Sequence, residues 1–97
     1  MVRSISEIKT ILSPIFSNYG ISRAILFGSV AKGTATGKSD LDLLVDSNLR
    51  GLKFVGFMEA VRRAVDMPVD ILDRSHIESN SKIDREIRST GVVIYEK

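Results

Sequence analysis

The sequence predicts an α/β (α+β) domain with a small mixed β-sheet and helices packed on one face of it. Three observations support this fold class: helical and extended patterns alternate, the extended segments are short apolar runs, and the composition is that of a globular protein. The patterns follow the order helix, strand, strand, helix, strand, helix, strand. With 97 residues, 43% hydrophobic and 27% charged, we expect one domain spanning residues 1–97.

The helices are predicted from apolar residues at helical spacing and from capping patterns. Ser4 and, three residues later, Glu7 form a capping-box pattern at the start of the first helix. Because proline lacks an N–H group and crowds the preceding turn, we expect Pro14 to kink this helix or cut it short. Apolar residues share one face over residues 52–65, which predicts a second long helix, and residues 79–89 are expected to form a polar third helix.

Four short apolar runs predict the strands, at residues 24–27, 41–45, 69–72 and 92–95. The last run is expected as a strand or an extended tail. Gly28 ends the first run and predicts a turn, after which residues 29–32 are expected to open a short helix. Asp70 interrupts the third run, and because an unpaired carboxylate is costly to bury, it should be exposed, paired or bound to a metal.

The composition excludes several classes of protein. The chain has no cysteine and one histidine, so we expect no disulfides and no thiolate zinc site, and any metal should be held by oxygen. No apolar run is long enough to span a membrane and no signal-peptide pattern is present, which predicts a cytoplasmic protein without membrane contact. The net charge of +2 would suit a nucleotide or an RNA-like partner, although an ordinary solvated surface explains it as well.

Two carboxylates stand two residues apart at the start of the second predicted strand. Side chains alternate between the faces of a strand, so Asp40 and Asp42 project from the same side. They repel each other unless a cation lies between them, and Mg²⁺ commonly binds one or two carboxylates together with substrate phosphates. An Asp-x-Asp pair alone is weak evidence, but Gly28-Ser29 at the preceding strand-to-turn junction makes the combination specific.

The chain contains Gly28-Ser29, ten intervening residues and then Asp40-Leu41-Asp42. This arrangement resembles the signature of the nucleotidyltransferase superfamily related to DNA polymerase beta. The stretch from Leu26 to Val45 is similar to the minimal, single-domain branch of that superfamily. The resemblance implies a nucleotidyltransferase fold like the polymerase beta palm. It also implies a third carboxylate from a following strand, where Asp70 stands in this chain.

The resemblance implies catalytic and metal-binding roles for Asp40, Asp42 and Asp70, with two Mg²⁺ ions as cofactor and ATP as substrate. Asp70 would also help to deprotonate the acceptor hydroxyl. Gly28 would let the backbone approach phosphate closely, and the Ser29 hydroxyl would bind the terminal phosphates.

Two further residues, Lys38 and Ser39, are expected to complete the nucleotide-binding set. Lys32 is the alternative to Lys38 for balancing phosphate charge. For both lysines, an ordinary solvent-exposed position is the competing interpretation.

The resemblance implies three functions that the sequence leaves open. In the first, the protein is an antitoxin that transfers AMP from ATP to a hydroxyl, expected to be a tyrosine, of a helical HEPN-type toxin. In the second, it neutralises that partner by complex formation, with transfer minor or absent. In the third, it transfers a nucleotide to a small molecule or an RNA end; direct nucleic-acid binding is otherwise not expected, and the oligomeric state is left open.

Overall fold

A computed structural model of the protein describes residues 4–33 and 40–97. Two of the predicted nucleotide-binding residues, Lys38 and Ser39, lie outside the described residues. The described elements, in chain order, are α1 (Ile5–Asn18), β1 (Arg23–Phe27), α2 (Gly28–Lys32), β2 (Leu41–Asp46), α3 (Leu52–Val65), β3 (Val69–Asp73), a short 3₁₀ helix (Arg74–His76), α4 (Lys82–Thr90) and β4 (Val92–Glu96).

The four strands form one mixed sheet in the order β3-β2-β1-β4. β1 lies in the centre and pairs antiparallel with both β2 and β4. β2 and β3 are parallel, and α3 provides the crossover that a parallel pair requires. The predicted α/β fold class with a mixed sheet is confirmed, and the run at residues 92–95 is a strand.

The larger core lies between the sheet and the two long helices, α1 and α3. Phe16 of α1 and Phe57 of α3 are fully buried, with ring centroids 6.1 Å apart. The ring of Phe16 also lies 5.3 Å from that of Tyr95 on β4. Aromatic side chains bury large apolar areas, so these contacts hold both helices on one face of the sheet.

α4 packs against the opposite face of the sheet. The prediction that the helices cover one face is corrected in this respect. The two central strands are apolar on both sides, because Ile25 and Leu44 alternate with neighbours that point into the larger core. Together with Phe27 they form a second, smaller cluster with Ile87 of α4. Placing α4 there removes these side chains from water.

The first helix begins at the predicted capping box and continues past Pro14. The Ser4 hydroxyl accepts a hydrogen bond from the Glu7 backbone N–H, and Glu7 accepts one in return from the Ser4 backbone. Of the two expected effects of Pro14, shortening of the helix is wrong, since α1 continues to Asn18, and a kink stays a prediction. Both Pro14 and Thr10, whose carbonyl loses its usual N–H partner, are exposed, so water can satisfy that carbonyl.

A buried carboxylate ties together the segments that follow β2 and β3. Asp73 Oδ1 accepts hydrogen bonds from the Ser47 backbone N–H at 3.2 Å and from the Ser47 hydroxyl at 2.9 Å. Its Oδ2 accepts from the backbone N–H and the hydroxyl of Ser75. Burial raises the pKa of Asp73, but the hydrogen bonds from Ser75 and Ser47 outweigh that effect and leave the pKa below its ordinary value. Within the described part of the chain, no helix is both long and apolar enough to cross a membrane.

Replacing Asp73 by asparagine should lower the free energy of unfolding at pH 7 by about 1–3 kcal/mol, because an amide cannot accept all four hydrogen bonds. Since the folded-state pKa lies below the ordinary value of 3.8, the carboxylate stabilises the fold above that pH. This contribution is lost as the pH falls through the folded-state pKa.

Urea unfolding of the wild type and of Asp73→Asn from pH 7 down to pH 2 measures the difference, which should shrink below about pH 4. Asp46→Asn, at an exposed position on β2, is the control and should stay within about 0.5 kcal/mol of the wild type. A difference for Asp73→Asn that does not change with pH would contradict the ionised carboxylate as its source.

Candidate active site

The sheet brings three of the predicted site residues to one edge. β1 and β2 are antiparallel, and Phe27, the last residue of β1, pairs with Asp42 near the start of β2. Asp42 in turn stands opposite Asp70 on the parallel strand β3. Gly28 follows Phe27 directly, so the predicted turn and two predicted carboxylates converge where β1 ends and the other two strands begin.

Gly28 is required at this turn for two reasons. Its φ of +78° is in the left-handed region that side chains disfavour. A Cβ built at this position would also collide with Asp42 Oδ2 and lie 3.3 Å from Asp42 Cγ. The space that the missing side chain leaves is therefore taken up by the carboxylate of Asp42. The close approach of phosphate to Gly28, expected from the sequence, stays a prediction.

Asp42 is the carboxylate whose ionisation is disfavoured at this edge. Partial burial raises its pKa, and the negative charges of Asp70, Glu86 and Asp40 raise it further. Asp40 and Asp70 are themselves exposed. The edge therefore concentrates negative charge around one half-buried carboxylate, an environment that favours a bound cation.

The sequence did not predict two contributors from α4, Glu86 and Thr90. The Gly28 backbone N–H donates a hydrogen bond to Thr90 Oγ1 at 3.2 Å, and Thr90 Oγ1 donates to the Glu86 carbonyl at 2.8 Å. Thr90 thereby ties the last turn of α4 to the turn after β1. Glu86, one helical turn earlier, lies near enough for its charge to act on Asp42. No local pattern marks either residue, because their roles arise from the packing of α4 on this face.

The sequence matches the family described as "Polymerase beta, Nucleotidyltransferase" over residues 9–97. The chain belongs to this family. No curated protein sequence matches the chain significantly.

Several solved structures have a fold similar to that of this chain. A chain of a toxin–antitoxin complex crystallised with AMP-PNP superposes with a TM-score of 0.77 at 18% identity, covering 92% of this chain and 73% of the other. A chain of the tri-AMPylated HEPN toxin–MNT antitoxin complex of Shewanella oneidensis gives 0.72 at 14% identity, with coverages of 96% and 73%. A candidate minimal nucleotidyltransferase gives 0.73 at 25% identity, with coverages of 93% and 95%.

The carboxylates at this edge have the chemistry that suits a hard divalent ion. Asp40, Asp42 and Asp70 offer only oxygen ligands, and their mutual repulsion at Asp42 would be relieved by a cation. Among residues 4–33 and 40–97, no three acidic, histidine or cysteine side chains are gathered into a ready-made metal cage. Mg²⁺ does not require one, since it commonly takes one or two carboxylates plus phosphate oxygens.

Two other residues of the predicted site lie on α2, the short helix after the turn. Ser29 is half-buried beside Gly28, whereas Lys32 is exposed at the other end of the helix. Ser29 is therefore adjacent to the edge that carries Asp42. The exposure of Lys32 agrees with the competing interpretation of an ordinary surface lysine.

Replacing Gly28 by alanine should destabilise the protein more than the same change at Gly20. Both glycines have positive φ, +78° and +69°, which costs an alanine about 1–2 kcal/mol. At position 20 an added Cβ meets no heavy atom within 4 Å, but at position 28 it collides with Asp42. Urea unfolding of the two variants isolates the cost of that collision; equal destabilisation would argue against a close packing of Asp42 on Gly28.

Replacing Thr90 by valine should loosen the turn at Gly28, because valine keeps the side-chain shape and removes the acceptor for the Gly28 N–H. Thr90→Ser retains the hydroxyl and should keep the turn in place. We expect the loss of this one hydrogen bond to open the turn about tenfold more often in the valine variant. Amide exchange at Gly28, measured by NMR, should accelerate in the valine variant alone; unchanged exchange would exclude Thr90 as its partner.

Proposed function

We propose that this nucleotidyltransferase transfers AMP from ATP to a hydroxyl group of a partner protein, and that it acts in this way as the antitoxin of a HEPN-type toxin. The observation that carries the proposal is the convergence of the Gly28 turn with Asp42 and Asp70 at one edge of the sheet. Such an edge can hold a triphosphate and a cation together. The family match supports the reaction class.

The structural neighbours support the choice of nucleotide and acceptor. One similar complex was crystallised with AMP-PNP, an ATP analogue, and another contains a HEPN toxin that carries AMP groups. We infer an adenine nucleotide and a protein acceptor for this chain from the same combination of fold and site. A tyrosine hydroxyl is the acceptor that we expect, as its proton is the most acidic among the side-chain hydroxyls.

In the proposed reaction, the acceptor oxygen attacks the α-phosphorus of ATP in line with the leaving group. A bond forms between the acceptor oxygen and the α-phosphorus, the bond to the β-phosphate oxygen breaks, and pyrophosphate leaves. Asp70 is proposed to take the proton of the acceptor hydroxyl. Ser29, next to the turn, is proposed to hydrogen-bond the terminal phosphates, with Lys38 and Ser39 as further phosphate contacts.

Asp40, Asp42 and Asp70 are the residues that would hold Mg²⁺. When bound, Mg²⁺ would neutralise the triphosphate and the charge that develops on pyrophosphate. The two strands hold these carboxylates close together: Asp42 packs against Gly28, and Asp70 lies opposite Asp42 on the next strand. We propose that the phosphates and the acceptor meet beside this pair.

Incubation with ATP, Mg²⁺ and a HEPN-type protein from the same organism should add AMP to that partner, as measured by intact-protein mass spectrometry. Asp42→Asn should reduce the initial rate at least about a hundredfold, because it removes one charge from the centre of the site. Asp46→Asn, at the exposed far end of the same strand, is the matched control and should leave the rate unchanged.

The absence of an adduct with a folded protein and its cognate partner would contradict the proposed transfer. A double variant, Asp40→Asn with Asp42→Asn, separates transfer from neutralisation by complex formation. If the toxin is still neutralised by that variant at equal concentration, the antitoxin acts by binding, and the transfer mechanism is wrong as the cause of neutralisation.

A further inference from the structure

A cleft lies at the end of the sheet away from Asp42 and Asp70. It opens where the parallel strands β2 and β3 end and α3 begins, and its volume is about 540 Å³. This is within the usual range for small-molecule sites. We call it the carboxyl-end cleft. Its lining consists of Ser47, Asn48, Leu49, Arg50, Gly51, Phe54, Asp73, Ser75 and His76.

The position of the carboxyl-end cleft is typical of a ligand site. In open α/β sheets, ligands bind outside the carboxyl ends of parallel strands, and β2, α3 and β3 form such a strand–helix–strand unit. Asp42 and Asp70, in contrast, lie at the amino ends of the same two strands. Asp42 and Ser47 are five residues apart along an extended segment, about 16 Å, so the two locations are separate.

The walls of the carboxyl-end cleft are held in place by Asp73. Its two oxygens accept hydrogen bonds from Ser47 on one wall and from Ser75 on the other. The Ser47 hydroxyl also accepts from the Leu49 N–H at 3.4 Å. Both oxygens of this carboxylate are thus occupied by the protein itself, and the cleft has a preformed shape.

Arg50 and His76 are the two side chains of the cleft lining that can carry a positive charge. Both are exposed, and neither has a hydrogen-bond or ion-pair partner among the described residues. A guanidinium group binds carboxylate or phosphate through two parallel hydrogen bonds. Leu49 and Phe54, both only partly buried, provide apolar surface beside these polar groups.

We propose that the carboxyl-end cleft binds a small organic anion, with its phosphate or carboxylate group on Arg50 and His76 and an apolar or aromatic group against Leu49 and Phe54. The anion balances the charge of Arg50, while the single carboxylate of the lining, Asp73, is satisfied by four donors. At Gly51 a side chain would meet no heavy atom within 4 Å, so the cleft is open on that side. This site is distinct from the proposed nucleotide site and does not depend on nucleotidyl transfer.

NMR titration of the ¹⁵N-labelled protein tests the proposal, because amide shifts report which end of the sheet a ligand occupies. The probes are phenyl phosphate, benzoate, inorganic phosphate and benzyl alcohol, in buffer without divalent ions. Phenyl phosphate or benzoate should shift the amides of residues 47–51 and 74–76 and bind at least about tenfold more tightly than inorganic phosphate or benzyl alcohol, which each lack one half of the recognition. The relative affinities of phenyl phosphate and benzoate distinguish the two anionic groups.

Arg50→Gln should weaken binding of the tighter probe about tenfold, and Arg50→Lys should have an intermediate effect because it keeps the charge and loses the paired donors. Lys53→Gln is the matched control, because it removes the same charge at an exposed position in the first turn of α3 and Lys53 is not among the lining residues of the cleft. Its affinity should stay within about twofold of the wild type. Three results would each overturn the proposal. The first is a set of shifts confined to Gly28, Ser29 and Asp42, and the second is equal weakening of binding by Arg50→Gln and Lys53→Gln. The third is the absence of a saturable shift at residues 47–51.

Discussion

The site depends on how closely the carboxylate of Asp42 packs against the backbone of Gly28. The antiparallel register of β1 and β2 places Phe27 opposite Asp42, so the next residue must turn away at positive φ and carry no side chain. The parallel register of β2 and β3 then places Asp70 opposite Asp42. Two pairings between neighbouring strands thus position residues that are far apart in the sequence, and no loop is needed to gather them.

The central strands connect this edge to the rest of the protein because they are apolar on both faces. One face carries the larger core with α1 and α3, and the other carries the cluster around Leu44 and Ile87. Asp42 lies on the same face as Leu44, two residues along the strand. Burial of Leu44 beneath α4 therefore also brings α4, with Glu86 and Thr90, beside the carboxylates.

Local sequence patterns were sufficient to predict the helices and strands, and also the candidate site residues that lie close together in the sequence. The capping box, the four apolar runs and the spacing from Gly28 to Asp42 each express a rule that acts within a few residues. The effect of Pro14 and the position of α4 depended on exposure and on packing across the sheet, which periodicity does not contain. Thr90 and Glu86 escaped prediction for the same reason. The catalytic, metal-binding and nucleotide-binding roles remain predictions for all of the assigned residues: Gly28, Ser29, Lys38, Ser39, Asp40, Asp42 and Asp70.

The hydrogen bond from Gly28 to Thr90 joins residues 62 positions apart, and β4, which follows Thr90, pairs with the central strand β1. Both contacts are strongly non-local, and non-local contacts form late because the entropy of closing the intervening chain must first be overcome. A ribosome-bound chain that has exposed β1, β2 and β3 therefore has the three aspartates without the support for the turn beside them. The turn beside Asp42 therefore gains its support only after α4 and β4 have been synthesised.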